Sequence, residues 1–355
     1  MGILSIKKWT GFACVIGIAL LFAGCVREAV PEFRELPPET EQVKKRAASL
    51  AALWGRDAVR SVLLQEQDLR YYRNDRDGLT ARLKAMNVNH ACLVVESPEI
   101  LESRSSREDL TGMITAMAGA GISSDVVLPQ YAFLRTRPAN SLIRWFSGDE
   151  TPLDEAVSCV VRMRDCLPDN VPAPGLTVWA GLHRLTRNNE ALPPGTIYRW
   201  SESDYGAGSD NDLLMKKFIA DLAVWRERAH KQNVRFSVAI PAFYHARARA
   251  GELSRGLVSD FLTAADTVLV IGYGEKPSEY LRSLQDVLKS DSSGRIRCGM
   301  VLAGHMSDNT GALRRRSWQD FFQILSVMHQ NCGSAAGYGG MVLVPWQSVE
   351  LLQER

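Results

Sequence analysis

Short continuous apolar runs, separated by stretches of helical periodicity, dominate the pattern of this chain. Ala91 to Val95, Asp125 to Leu128, Leu176 to Trp179, Phe236 to Ile240, Thr267 to Ile271, Cys298 to Leu302 and Gly340 to Val344 each read as a strand. Leu142-Ile143-Arg144-Trp145-Phe146 is a less regular eighth run. Between them lie segments with apolar residues three and four apart, which predict helices. One runs from an Asp77 cap to Met86, one from Glu108 to Ala120 ahead of Gly121, and one from Leu153 to Cys166. The most regular spans Asp212 to Lys231, with Leu214, Phe218, Leu222 and Trp225 as its apolar stripe. Residues 41 to 66, which contain no proline, also read as helical, and residues 182 to 209 read as a long polar loop.

Runs that do not alternate with polar residues fit parallel strands buried on both faces, with helices covering them. Eight β-then-α units predict an α/β fold of the (β/α)₈ (TIM) barrel type. An open doubly wound sheet is the second choice. No GxGxxG turn follows the first apolar strand, which removes the main reason to prefer a dinucleotide fold.

The start of the chain carries a different pattern. Lys7 and Lys8 precede an apolar run from Gly11 to Phe22, which ends in Ala23-Gly24-Cys25. A positive n-region, a short apolar region and small residues before a cut are the signature of an export signal. The run is too short for a helix crossing roughly 30 Å of hydrocarbon. Its ending resembles a bacterial lipoprotein box, with Phe22 where that box usually has Leu. The resemblance implies lipidation at Cys25 and a membrane partner held through the lipid; the plainer alternative is a secretory signal cut at Ala23 or Gly24. The predicted organisation is a signal peptide over 1–24, then a lipidated Cys, Pro-rich tether and helix over 25–65, then the barrel over 66–355. Val26 follows the Cys in place of the Asp that resembles an inner-membrane retention signal. The expected location is therefore the bacterial cell envelope, on the periplasmic side of the outer membrane.

Charge narrows the partners. The first 24 residues hold two lysines and no acids, so the 42 basic residues fall to 40 against 40 acidic ones. Zero net charge gives no reason to expect nucleic acid, and Arg314-Arg315-Arg316 reads as a solvated helix start. Beyond Cys25, the cysteines at 92, 159, 166, 298 and 332 are odd in number and irregularly spaced, unlike a disulfide framework. No CxxC or HxxxH pair points to a metal, and no cofactor motif is found.

In a barrel the site lies at the C-terminal strand ends. Those ends and the loop after Trp179 bring Tyr131, Trp179, His183, Trp200, Tyr244, Tyr273, His305 and Trp346 forward as candidate ligand contacts. Aromatic faces mixed with neutral hydrogen-bonding groups suit sugar rings. Trp179 and Trp346 have a second reading, in which they fill the top layer of the barrel. The candidate catalytic acids are Glu96, Glu202, Asp204 and Glu275. His183, His245 and His305 lie near strand ends but have no metal-ligand spacing.

Leu176 to Trp346 resembles the second half of chitinase-like (family 18 type) glycosidase barrels. The resemblance rests on the long helix followed by Phe236-Ser-Val-Ala-Ile-Pro241. It rests also on Ala265-Asp266 before the strand ending in Tyr273, and on the closing Gly339-Gly340-Met-Val-Leu-Val-Pro-Trp346. Such enzymes carry Asp and Glu at the end of the fourth strand, the Glu as general acid. Here that stretch reads Thr177-Val178-Trp179-Ala180-Gly181-Leu182. The resemblance thus implies the fold and argues against the activity. Two main functional expectations remain: a non-catalytic protein that binds glycan or peptidoglycan, and a hydrolase using the four acids named above. A purely structural barrel acting through its outer helices is a third.

Overall fold

The structure, a computed structural model, describes residues 40–55, 57–95, 103–129, 151–182, 200, 203–272, 277–301 and 318–344. They fall in one compact unit, Glu39–Arg355. The chain forms α1 (Glu41–Trp54), β1 (Arg60–Leu64), α2 (Glu66–Tyr71), α3 (Arg76–Ala85), β2 (His90–Val94), α4 (Arg104–Gly119) and β3 (Ser123–Pro129). Next come α5 (Thr151–Arg164), β4 (Gly175–Trp179), α6 (Asp210–Lys231), β5 (Phe236–Pro241), α7 (Ala242–Arg249), α8 (Val258–Ala264) and β6 (Thr267–Ile271). The last are α9 (Pro277–Leu288), β7 (Ile296–Val301), α10 (Trp318–Cys332) and β8 (Tyr338–Val344).

All eight strands pair in parallel with their sequence neighbours, and β1 pairs with β8, closing a (β/α)₈ barrel. The sheet has no open edge, so the doubly wound alternative is excluded. Both faces of each strand are buried, which accounts for the continuous apolar runs.

One strand departs from the sequence expectation. β1 lies at Arg60–Leu64, within the stretch read as helical over 41 to 66. The helix ends earlier because Gly55 caps α1, and Val62-Leu63-Leu64 then extends into the sheet. The barrel therefore starts at Arg60, and it closes without the run at 142–146, which lies outside the described residues. Gly175–Trp179 is the fourth strand of the closed barrel. Glu96 follows the second strand, not the first.

Alternation along each strand sends every second residue into the barrel. Leu63, Cys92, Val94, Val127, Ala239, Leu269, Ile271, Val342 and Val344 form the inner apolar cluster. The outward residues pack beneath the helices, where Trp54, Phe218, Trp225, Phe261 and Phe321 are buried. Helix starts follow their caps: Thr40 Oγ1 accepts from Val43 N at 3.2 Å, and Ser209 Oγ accepts from Asp212 N at 3.3 Å.

Candidate functional site

The inward columns are not apolar throughout. At the strand starts, one pleat below the apolar cluster, they carry Ser61, His90, Asp125, Ser237, Thr267 and Arg297. His90 Nε2 lies 3.1 Å from Asp125 Oδ2, and Ser61 Oγ lies 2.9 Å from His90 Nδ1. With the Nε2 proton donated to the carboxylate, Nδ1 accepts from the Ser61 hydroxyl. Arg297 reaches Asp125 Oδ2 at 3.5 Å and Arg235 reaches Oδ1 at 3.0 Å. Ser237 and Thr267 hydroxyls bond each other at 3.0 Å. A Cβ at Gly175 would overlap Asp125 Oδ1, so β4 opens space for this carboxylate by carrying glycine.

Burial keeps His90 neutral by lowering its pKa, with the neighbouring arginines acting in the same direction. Burial also penalises the Asp125 charge. The His90 N–H and the two guanidiniums outweigh that penalty and hold the carboxyl far below the usual range. Cys92, buried beside this charge, is pushed up to about 12 and stays a thiol.

Ser61–His90–Asp125 has the connectivity of an acyl-transfer triad. Ser61, however, has no exposed surface, and the group lies at the strand starts, away from the mouth where barrel chemistry occurs. These residues form a polar floor. Sequence reading missed them, although the charges inside the runs Ser124-Asp125-Val126 and Ile296-Arg297-Cys298 were the available signal.

At the mouth, Trp179 ends β4 and packs its indole onto the inner apolar cluster. The inward column of β4 therefore reads Gly175, Thr177, Trp179. In the loop after β4 and at the start of α7, Trp200 and Tyr244 are buried together at a ring separation of 5.4 Å. Phe243 and Tyr205 complete the aromatic group, at 6.5 and 6.0 Å from Trp200. The Arg247 guanidinium sits 4.4 Å over the Tyr205 ring. Trp200 and Tyr244 are thus buried, and Tyr205 and Phe243 next to Trp200 are half-buried.

Asp204 Oδ2 accepts from the backbone N–H of Asp210, so this carboxylate closes the turn into α6. The loop is fixed further by Asp212, which accepts from Gly208 N, Ser254 N and Ser254 Oγ at 2.9, 2.7 and 2.6 Å. His245, at the start of α7, accepts from Val258 N through Nδ1 at 3.2 Å, which ties it to α8. Asp266 takes Phe236 N and Arg226 Nε at 3.0 and 2.9 Å, a bond between strand starts and α6 remote from the mouth.

Glu96, Tyr131, His183, Glu202, Tyr273, Glu275, His305, Trp346 and Cys25 lie outside the described residues. Among the described residues, no three His, Cys, Asp or Glu side chains converge to hold a metal ion, and no helix is long and apolar enough to cross a membrane. A groove of about 630 Å³ among the described residues lies on the outer wall between α3 and α4. Its Arg76 is paired with Asp109 at 3.1 Å, and none of the inner-barrel residues lines it.

No family model matches the sequence, and no curated protein matches it. Solved structures share the fold. A GH18 chitinase from Pseudoalteromonas aurantia is similar over 82% of this chain and 95% of its own, with a TM-score of 0.52 at 10% identity. The AHE enzyme from Alicyclobacillus herbarius is similar over 79% of each chain, with a TM-score of 0.51 at 10% identity. At this identity the likeness is one of fold: the chain shares the closed (β/α)₈ barrel of these proteins.

Proposed function

We propose that this chain is a lipid-anchored protein of the bacterial envelope whose glycoside-hydrolase-like barrel binds glycan without cleaving it. The observation that carries the reading is the inward column of β4. Glycosidic hydrolysis needs an acid to protonate the leaving oxygen and a second group to stabilise or attack the sugar. At the position resembling the acid's, β4 presents Trp179, packed down onto the apolar interior. Asp204, one of the candidate replacements, is engaged by the Asp210 N–H. Sugar rings offer apolar C–H faces to aromatic side chains, and the half-buried Tyr205 and Phe243, backed by the buried Trp200, are candidates for that contact. The leader ending in Cys25 would place the barrel against peptidoglycan.

The test uses the full chain, produced with its own leader in a bacterial host. Membrane-extracted protein is mixed with peptidoglycan sacculi and with chitooligosaccharides, and retention and fluorescence titration are read. The expected result is saturable binding to at least one of these glycans, with an acylated Cys25 peptide by mass spectrometry. A chain that stays unmodified at Cys25 overturns the anchoring. A folded chain that binds neither glycan overturns the ligand class.

A further inference from the structure

Arg297 carries a positive charge from β7 into the floor of the barrel, where the residue is only 9% exposed. A guanidinium has five N–H donors and no acceptor, so it needs acceptors around it. Few are present. Arg297 Nη1 stands 3.5 Å from Asp125 Oδ2, and among the described residues no other carboxylate pairs with it. The same Nη1 lies 3.4 Å from His90 Nε2, but that nitrogen donates its own proton to Asp125 and offers no lone pair. The buried Arg297 Nε has no hydrogen-bond partner at all.

The charges do not balance either. Asp125 Oδ1 accepts from Arg235 at 3.0 Å, closer than Arg297 approaches, and Oδ2 is shared with His90 at 3.1 Å. Two guanidiniums thus share one carboxylate beside a neutral imidazole, which leaves one positive charge over. Arg235 is exposed and solvated by water, so the uncompensated charge is that of Arg297. A buried charge without a close counterion is costly, and an unpaired buried donor calls for an ordered water or ion. The neighbouring strands supply no acid. In register with Arg297, β8 has Gly340 and β6 has Leu269, and one pleat below Leu269 the Thr267 hydroxyl bonds that of Ser237 at 3.0 Å. Their mutual bond uses one of two hydroxyl protons and leaves the other to donate.

We propose that the floor of the barrel is a binding site for a small monovalent inorganic anion of the chloride class, held by the Arg297 guanidinium with the spare hydroxyl proton of the Ser237–Thr267 pair as a further donor. One negative charge is what the cluster lacks, so a monovalent ion fits it better than phosphate. The apolar layer of Leu269 and Val342 just above also favours an ion that asks for few donors. Exposed Arg235, at the strand entrance, marks the side from which the ion arrives. The bound anion neutralises Arg297 and fixes β7 against the rest of the floor.

Crystals of the full chain grown from mild detergent in sodium bromide test this directly, with bromide in place of chloride. The expected result is an anomalous peak within hydrogen-bond distance of Arg297 Nε. Thermal melts in sodium chloride, against sodium gluconate of equal ionic strength, give a second readout in which screening is matched. Chloride at about ten times its Kd should raise the folded-to-unfolded ratio about elevenfold, a saturable rise in Tm of roughly 3 °C. Arg297→Gln should abolish the difference between the two salts, whatever its own Tm. Arg104→Gln, at an exposed position on α4, should keep it. If Arg297→Gln does not fold, the bromide map of the parent decides. A peak at Arg297 without anomalous signal, which is water, overturns the proposal. So do equal melts in the two salts, or a chloride effect undiminished in Arg297→Gln. Neither readout involves glycan binding or acylation of Cys25.

Discussion

Asp125 on β3 and Arg297 on β7 meet at 3.5 Å across the floor of the barrel, from strands on opposite sides of the closed sheet. The carboxylate also holds His90 and Arg235, so a single buried charge links three other strands or strand entrances. Removing one member of such a group leaves its partners charged or unsatisfied in a dry interior, and that costs more than the pair itself contributes. Asp125→Asn is therefore expected to lower stability by about 3–5 kcal/mol. Urea unfolding followed by circular dichroism measures this, and Arg235→Gln, at the exposed end of the network, should change it far less.

The same floor predicts a pH dependence. His90 is buried with a lowered pKa, so below its ordinary value of 6.5 the unfolded chain binds a proton that the folded chain refuses. Stability attributable to His90 should thus fall as pH drops from about 6.5 toward 5, by up to about 1.4 kcal/mol per pH unit. His245 is shifted in the same direction by burial, with Arg249 adding to the shift, and contributes likewise. Denaturation midpoints from pH 8 to 5 give the slope; His90→Gln should reduce it. Asp125 acts lower: its stabilisation is complete above its ordinary value of 3.8 and is lost as pH falls below that.

Trp179, partly buried at the end of β4, packs against the inner apolar cluster. Trp179→Ala should cost about 3 kcal/mol, a cavity effect that Trp179→Phe largely restores. Thermal melts of the three proteins provide the comparison. If the indole projected into the mouth without packing, the alanine variant would melt like the parent.

Asp212 is buried at the start of α6 and gathers Gly208, Ser254 and Lys216. Burial opposes its charge, but these hydrogen bonds dominate and keep it ionised. Asp212→Ala should cost about 2–4 kcal/mol and loosen the loop over 203–209. Limited proteolysis should then cut this loop ahead of global unfolding, while Ser254→Ala should produce a smaller effect of the same kind.

Much of the fold could be read from periodicity because parallel strands buried on both faces leave plain apolar runs. Seven of the eight strands lie where such runs stand in the sequence. β1 was concealed because Val62-Leu63-Leu64 is short and follows a helix with the same apolar residues at helical spacing; Gly55 was the overlooked stop signal. The site was less legible. Trp200 and Tyr244, read as rim contacts, turn out to be buried against each other, since sequence alone does not separate a wall aromatic from a contact aromatic. Asp204 caps a turn, a role set by the backbone conformation of 204–210. The polar floor went unread because its partners come from strands far apart in the chain, and no local spacing records that they meet.

The central claim is binding without cleavage. Its most direct test is a long incubation of the full chain with peptidoglycan sacculi and chitooligosaccharides, with released reducing ends and soluble fragments quantified by mass spectrometry. The account predicts glycan retained on the protein, with product no greater than in a heat-denatured control. Fragment release that scales with protein and disappears in Glu96→Gln, Glu202→Gln or Glu275→Gln would contradict it, and would make the barrel a hydrolase with relocated acids.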